Sequence, residues 1–318
     1  MRDQRLPIVQ FGFAVVALLV LLTNGPQRAE PYSARAEAPS SWPERQSAAA
    51  WLAQVRPQTV SFAVVDAAGQ QVAAFREDHR VPAASTFKAL VLAAYLRQPD
   101  VANRELTASE EAAMRAMITW SSNDDASRLL RQAGWPAVEE LAQAAGMQGG
   151  FVPDTESWGL TQITAASMAQ YFHRMPSLLP ERHRAFAMGL FADLIPGQQW
   201  GMPAAAPEGW AWFVKGGWIS TSVHQVGAFA KDGQEFTVAV MVEGGPGTGS
   251  TVSSDPDGTP AIAAIEQVTR ALFADGRIPG TAAAPVAACG ADASDADAAT
   301  AMATWSMAAQ CRSDTAAG

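Results

Sequence analysis

Ser85 and Lys88, in the stretch "AASTFKALVL", stand three residues apart at the mouth of an apolar run. On a helix that spacing shares one face, so a hydroxyl and an amine can meet. A serine hydroxyl attacks a carbonyl only when a base takes its proton. A lysine serves as that base when burial or neighbouring positive charge lowers its pKa. Lys88 stands among Ala83, Phe87, Ala89, Leu90, Val91 and Leu92, where desolvation is expected. Alone the pair is weak evidence, because Ser85 or Thr86 at a helix start also reads as a cap. Two later stretches strengthen it. "TWSSNDDASRLL" sets Ser121 and Asn123 two residues apart in a turn between helices, where both can face one cleft. "FVKGGWI" sets Lys215 on a strand followed by Gly216 and Gly217, which leave room for a ligand to approach the backbone.

The elements that must hold these residues follow from periodicity. "TVSFAVVDAAGQQVAAFRED" alternates around a turn signal and predicts two antiparallel strands. From Ser85 to about Phe191 the pattern is helical. "STFKALVLAAYLRQ" is apolar on nearly every face, as befits a helix through the middle of a domain. "LTASEEAAMRAMITW" opens on a cap, Thr107 or Ser109, with Glu110 and Glu111 in the first turn. "NDDASRLLRQAG", "AVEELAQAAGM", "TAASMAQYFHRM" and "PERHRAFAMGLFADL" continue the series. Strand character returns in "GWAWFVKGGWI", "TSVHQVGAFAK" and "EFTVAVMVEG", and Pro260 can begin a last helix. If the five strands form one sheet, the helices are an insertion between its second and third strands.

The rest of the 318-residue chain sets bounds. A net charge of -9 without any long Lys/Arg run excludes a nucleic-acid surface. Residues 1–24 carry two arginines and then an apolar stretch, the shape of a signal peptide or of a membrane anchor. Either form predicts export, extracellular or to the cell envelope, the anchored one with inner-membrane association. Residues 25–50 read as a linker, 51–276 as the globular domain with its helical lobe at about 85–205, and 277–318 as an Ala/Asp-rich tail. Cys289 and Cys311, the two cysteines, both fall in that tail, where an oxidising compartment would allow them to pair. His79, His173, His183 and His224 are scattered, so neither a metal site nor a cofactor is expected. The chain is expected to be a monomer.

Ser85-Thr-Phe-Lys88, Ser121-Ser-Asn123 and Lys215-Gly-Gly217, in this order and on these elements, resemble the three motifs of the class A beta-lactamases and penicillin-binding proteins. The likeness covers roughly residues 56 to 276. It implies an α/β (α+β) beta-lactamase/transpeptidase-like fold: a five-stranded antiparallel sheet flanked by helices, with an all-helical lobe inserted between strands 2 and 3. It also implies a beta-lactam or peptidoglycan-like small substrate. Ser85 would form the acyl-enzyme, with Lys88 as proton acceptor. Ser121 would pass a proton to the leaving nitrogen, and Asn123 would hold a substrate amide. Lys215 would attract a substrate carboxylate, and the backbone N–H groups of Ser85 and Trp218 would hold the oxyanion.

The sequence departs from that pattern in three places. Ser122 stands where aspartate is common, which removes an acceptor that braces the loop. Gly216 stands where threonine or serine would give a hydroxyl. The loop that carries the deacylating glutamate of class A enzymes is here only "GMQGGFVPDTESWG", in which Glu156 is the candidate base, with Asp154 nearby and no asparagine following. A serine that acylates without an activated water to free it gives a stoichiometric binder or a very slow hydrolase. His224 is a further candidate for the cleft beside the third motif. Of Trp158, Trp200, Trp210, Trp212 and Trp218, most are expected to pack and one or two to meet substrate. The resulting expectation is an exported serine hydrolase acting on beta-lactams through an acyl-serine. The alternatives are a cell-wall transpeptidase or carboxypeptidase, and an acylatable or non-catalytic penicillin-binding protein.

Overall fold

The computed structural model describes residues 41–231, 234–244 and 260–273. The expected signal or anchor segment, the tail and both cysteines lie outside them. The first described element is a helix, α1 (Trp42–Gln54), that begins inside the stretch expected to be linker. Its start is written locally. Ser41 Oγ accepts the N–H of Glu44 while the Glu44 carboxylate accepts the N–H of Ser41, and Pro43 sits in the first turn, where its missing N–H costs nothing. The folded domain therefore reaches further toward the N-terminus than residue 51.

Strands β1 (Thr59–Asp66) and β2 (Gln71–Phe75) form the predicted hairpin, with Asp66 Oδ1 accepting the N–H groups of Ala68 and Gln70 across the turn. After the short β3 (Val81–Pro82), a 3-10 turn at Ala84–Phe87 runs into α2 (Lys88–Leu96), every residue of which is buried. The lobe continues with α3 (Pro99–Ala102), α4 (Ala108–Thr119), α5 (Asn123–Ala133) and α6 (Trp135–Ala144). Of the two caps foreseen for α4, Thr107 is the one used, in a reciprocal pair with Glu110. A loop then leads through β4 (Gln162–Ile163), which pairs with β3, into α7 (Ala165–Leu178), α8 (Glu181–Ala192) and the single turn α9 (Met202–Ala205). Strands β5 (Ala211–Ile219), β6 (Ser222–Lys231) and β7 (Gln234–Glu243) and helix α10 (Pro260–Phe273) complete the domain.

The main sheet is antiparallel in the order β2-β1-β7-β6-β5, so β1 pairs with β7 and β5 forms an edge. Helices lie on both faces, and the lobe is inserted between the second and third strands of this sheet, as the motif order implied. Alternation sorts the strand residues between two cores. Ala63, Val65, Phe213, Val226, Ala228, Ala239 and Met241 face the lobe. Val60, Phe62, Val64, Val214, Val223, Phe229, Val238 and Val240 face α1 and α10. On β5 this alternation turns Lys215 and Gly217 toward the lobe and Gly216 away from it. Among the described residues, no helix is long and apolar enough to cross a membrane.

Candidate active site

The turn that presents Ser85 is held at both ends. Ala83 N–H donates to Thr161 O at 2.7 Å, and Thr86 Oγ1 donates back to Ala83 O at 2.6 Å. Between these bonds Ala84 has φ +48°, a left-handed conformation that costs a residue with a Cβ about 1–3 kcal/mol. Lys88, fully buried, opens α2 one turn later. Its Nζ lies within hydrogen-bonding distance of Ser85 Oγ (2.9 Å), Ser121 O (2.5 Å), Ser121 Oγ (3.0 Å) and Asn123 Oδ1 (2.7 Å). Ser121, at the end of α4, is itself at φ +62°. The amine thus bonds directly to one strained residue, Ser121, and to Ser85, the neighbour of the other.

The third motif comes from β5. Lys215 Nζ donates to Ser121 Oγ (3.1 Å) and to Gly216 O (2.8 Å), so two lysines share one serine hydroxyl. Both lysines are fully buried, and among the described residues no carboxylate pairs with either. Burial pushes the Lys88 amine down to about 7. Lys215 falls well below the ordinary lysine range, first through burial and then through repulsion by Lys88. A neutral amine can accept the Ser85 proton along the 2.9 Å line, which is the condition the sequence required of a base.

The first two motifs therefore meet around the Lys88 nitrogen, and Lys215 joins them through the Ser121 hydroxyl. Gly217 serves a purpose other than the one its spacing suggested. A Cβ there would fall 2.5 Å from Ser85 N and 2.7 Å from Thr86 N, so the missing side chain makes room for the nucleophile's own amides rather than for a ligand. Strand β5 thereby runs against the Ser85 amide, with Trp218, half-buried, next along it.

The loop between α6 and β4 forms the opposite wall. Asp154 Oδ1 accepts the N–H groups of Glu156 (3.1 Å) and Ser157 (2.8 Å), and this local turn leaves the Glu156 side chain exposed. Among the described residues Glu156 has no hydrogen bond to Ser85 or Lys88, so the structure does not bring the candidate base to the cluster. What the loop brings is Trp158, which the sequence had placed only in a group of tryptophans. Its ring lies 5.4 Å from Lys88 Nζ, stacks on Phe87 at 5.9 Å, and is pinned by an indole N–H donated to Ser127 Oγ at 3.1 Å.

The remaining departures also have structural answers. Ser122 caps α5, accepting the Asp125 N–H (3.3 Å) and donating to the Asp125 carboxylate (2.7 Å), so the turn is braced from within. The space a side chain at 216 would need is taken by the ring of Trp200, whose Cζ2 lies 2.6 Å from an ideal Cβ there. Trp200 is held by Gln225, which donates to its carbonyl and accepts the Met202 N–H. His224, opposite Gly217 in the ladder, is fully buried and accepts the Val242 N–H at Nδ1. Burial pushes its imidazolium down to about 4, and it makes no hydrogen bond to the lysine cluster among the described residues. It therefore stands behind the nucleophile turn and not in the cleft. Trp210 and Trp212 pack in the core facing α1 and α10. Among the described residues no His/Cys/Asp/Glu group has the form of a metal site.

This architecture is shared. Over 75% of this chain and 99% of its own, the crystal structure of a beta-lactamase from Sphaerobacter thermophilus superposes with a TM-score of 0.60 at 21% identity. A structure of PBP-A matches with a TM-score of 0.58 at 19% identity, covering 72% of this chain and 94% of its own. A beta-lactamase from Desulfarculus baarsii matches at 0.59 and 18%, covering 75% and 99%. No curated protein matches the sequence. The profile of the beta-lactamase enzyme family matches residues 44–111 and 99–275, which takes in all three motifs, the loop and both sheet-flanking helices. The chain belongs to the beta-lactamase enzyme family.

Proposed function

We propose that this protein is a serine hydrolase that acts on beta-lactams through an acyl-serine at Ser85 and releases the product slowly. The observation that carries the reading is the amine of Lys88, buried, depressed toward neutrality and 2.9 Å from Ser85 Oγ. As Ser85 Oγ adds to the lactam carbonyl, Lys88 takes its proton. The oxyanion is held by the N–H groups of Ser85 and Trp218. The Ser121 hydroxyl, between the two lysines, passes a proton to the departing ring nitrogen and is reprotonated from Lys88. Lys215 offers charge to the substrate carboxylate. The N-terminal segment supports export to the compartment where such substrates are met.

A second reading, a penicillin-binding or peptidase-like protein whose adduct persists, is favoured by one feature: an exposed Glu156 and an indole, not a carboxylate, against Lys88. Intact mass of the protein after addition of a penicillin separates the two. A transient adduct with hydrolysed product supports turnover, and a persistent one supports the second reading. Ser85→Ala should form no adduct, and an adduct of equal yield in that variant would sink the acyl-serine reading.

A further inference from the structure

The amine of Lys88 already has four oxygen neighbours: Ser85 Oγ, Ser121 O, Ser121 Oγ and Asn123 Oδ1. Beyond its bond to Cε a lysine nitrogen has three such directions, three N–H groups when protonated or two and a lone pair when neutral, so the four neighbours more than fill them. A water that is to be activated at Lys88 must therefore displace one of these partners, and on the loop side it meets Trp158. That ring is fixed from three directions. It stacks on Phe87 with an interplanar angle of 18°, its N–H is tied to Ser127 on α5, and the loop behind it is bonded to the nucleophile turn through Thr161 O and Ala83 N. Gly159, the next residue, is in ordinary van der Waals reach of the turn, an ideal Cβ there lying 4.0 Å from Ala84 Cα. The loop thus folds as a cover over the turn that carries Ser85.

Resting on the acyl-serine reading, we propose that Trp158 is a positioning residue that sets the lifetime of the acyl-enzyme by keeping water from Lys88. Release from the serine needs a water oxygen to add to the acyl carbon, the bond from that carbon to Ser85 Oγ to break, and one water proton to reach Ser85 Oγ by way of Lys88. The other water proton leaves with the product acid. Acylation needs no water, because the proton passes directly from Ser85 to Lys88. A rigid apolar ring over the amine therefore spares the first half of the reaction and slows the second. The same ring face favours the ammonium form electrostatically, so the ring does not prevent Lys88 from taking the serine proton.

The test follows adduct formation and loss by intact mass after a penicillin pulse, in the full protein and in Trp158→Ala, Trp158→Phe and Ser127→Ala. Trp158→Ala is expected to form the adduct as the parent does and to lose it about tenfold faster. Trp158→Phe, which restores an apolar ring, should keep most of the parent lifetime. A merely structural role would lower the melting temperature and slow formation without shortening the lifetime. Ser127→Ala frees the indole N–H while leaving the ring's volume in place, and should shorten the lifetime by a smaller factor. It decides the matter if Trp158→Ala does not fold. Unchanged lifetimes in the folded variants overturn the role of Trp158 and leave the acyl-serine intact. Absence of any adduct in the parent protein overturns the acyl-serine reading and this inference together.

Discussion

Strand β5 and the loop from Phe151 to Thr161 flank the same serine, yet they are made of opposite materials. The strand wall delivers a buried amine, Lys215, and a glycine so placed that the backbone can press against the Ser85 amides. The loop wall delivers an indole and turns its one glutamate outward. On the proposed function, one wall would meet the substrate and the other would exclude water. If the proposed acyl-transfer holds, its two halves would be set by different segments, so that one could be kept while the other is changed.

The largest effect should come from the amine both walls enclose. Lys88→Met is expected to slow adduct formation by roughly 10²–10⁴-fold, the usual contribution of a positioned general base. In the unsubstituted protein the active form is the neutral amine, which exists above its pKa. The rate should therefore climb with pH and reach half its plateau near pH 7, where burial has brought Lys88. A rate flat across that range in stopped-flow acylation would place the base elsewhere. The strand wall is tested next. Gly217→Ala puts a methyl 2.5 Å from Ser85 N, and overpacking of this kind costs about 1–3 kcal/mol in a denaturant melt. Acylation should fall with it, while loss of any adduct that forms is unaltered. If acylation survives, β5 yields more readily than its pairing with β6 suggests. The smallest effect is expected at Ser122→Ala, which removes the cap of α5 and costs about 1 kcal/mol by melting. It should leave acylation nearly intact, since Ser122 braces the turn and does not touch Lys88.

How legible each wall was in the sequence follows from the same contrast. The strand wall could be read because alternation fixes which way Lys215 points and because glycine pairs on a strand mark close approach. What glycine approaches was not legible, since the Ser85 amides arrive from a segment far away in sequence. The lobe's helices were legible through caps and apolar periodicity, as with Thr107 and Glu110 at α4. The start of α1 was missed because Pro43, Glu44, Arg45 and Gln46 follow Trp42 without an apolar stripe, although Ser41 and Glu44 spelled a capping box. The loop wall was the hardest to read. Its conformation is set by an Asx-type turn at Asp154 and by a tie from Trp158 to Ser127, and neither leaves a periodic signal. The choice between Glu156 and Trp158 as the residue that faces Lys88 is a matter of which side of a short irregular turn points inward. His224 was misplaced for a related reason. Alternation gave its face correctly, but the sequence did not show that the Ser85 turn would cover it.

The pairing of β1 with β7 has a consequence for how the molecule is assembled. The first strand is complete by Asp66, yet one of its two neighbours in the sheet ends at Glu243. Contacts so distant along the chain carry a large loop-closure cost and form late. Until β5 and β6 are in place, the turn that carries Ser85 has no sheet to lie against, and the Ser121 hydroxyl lacks Lys215. On the proposed function, the site of Ser85 would be completed only by this long-range step of folding, and a half-folded chain would carry Ser85 as an ordinary alcohol.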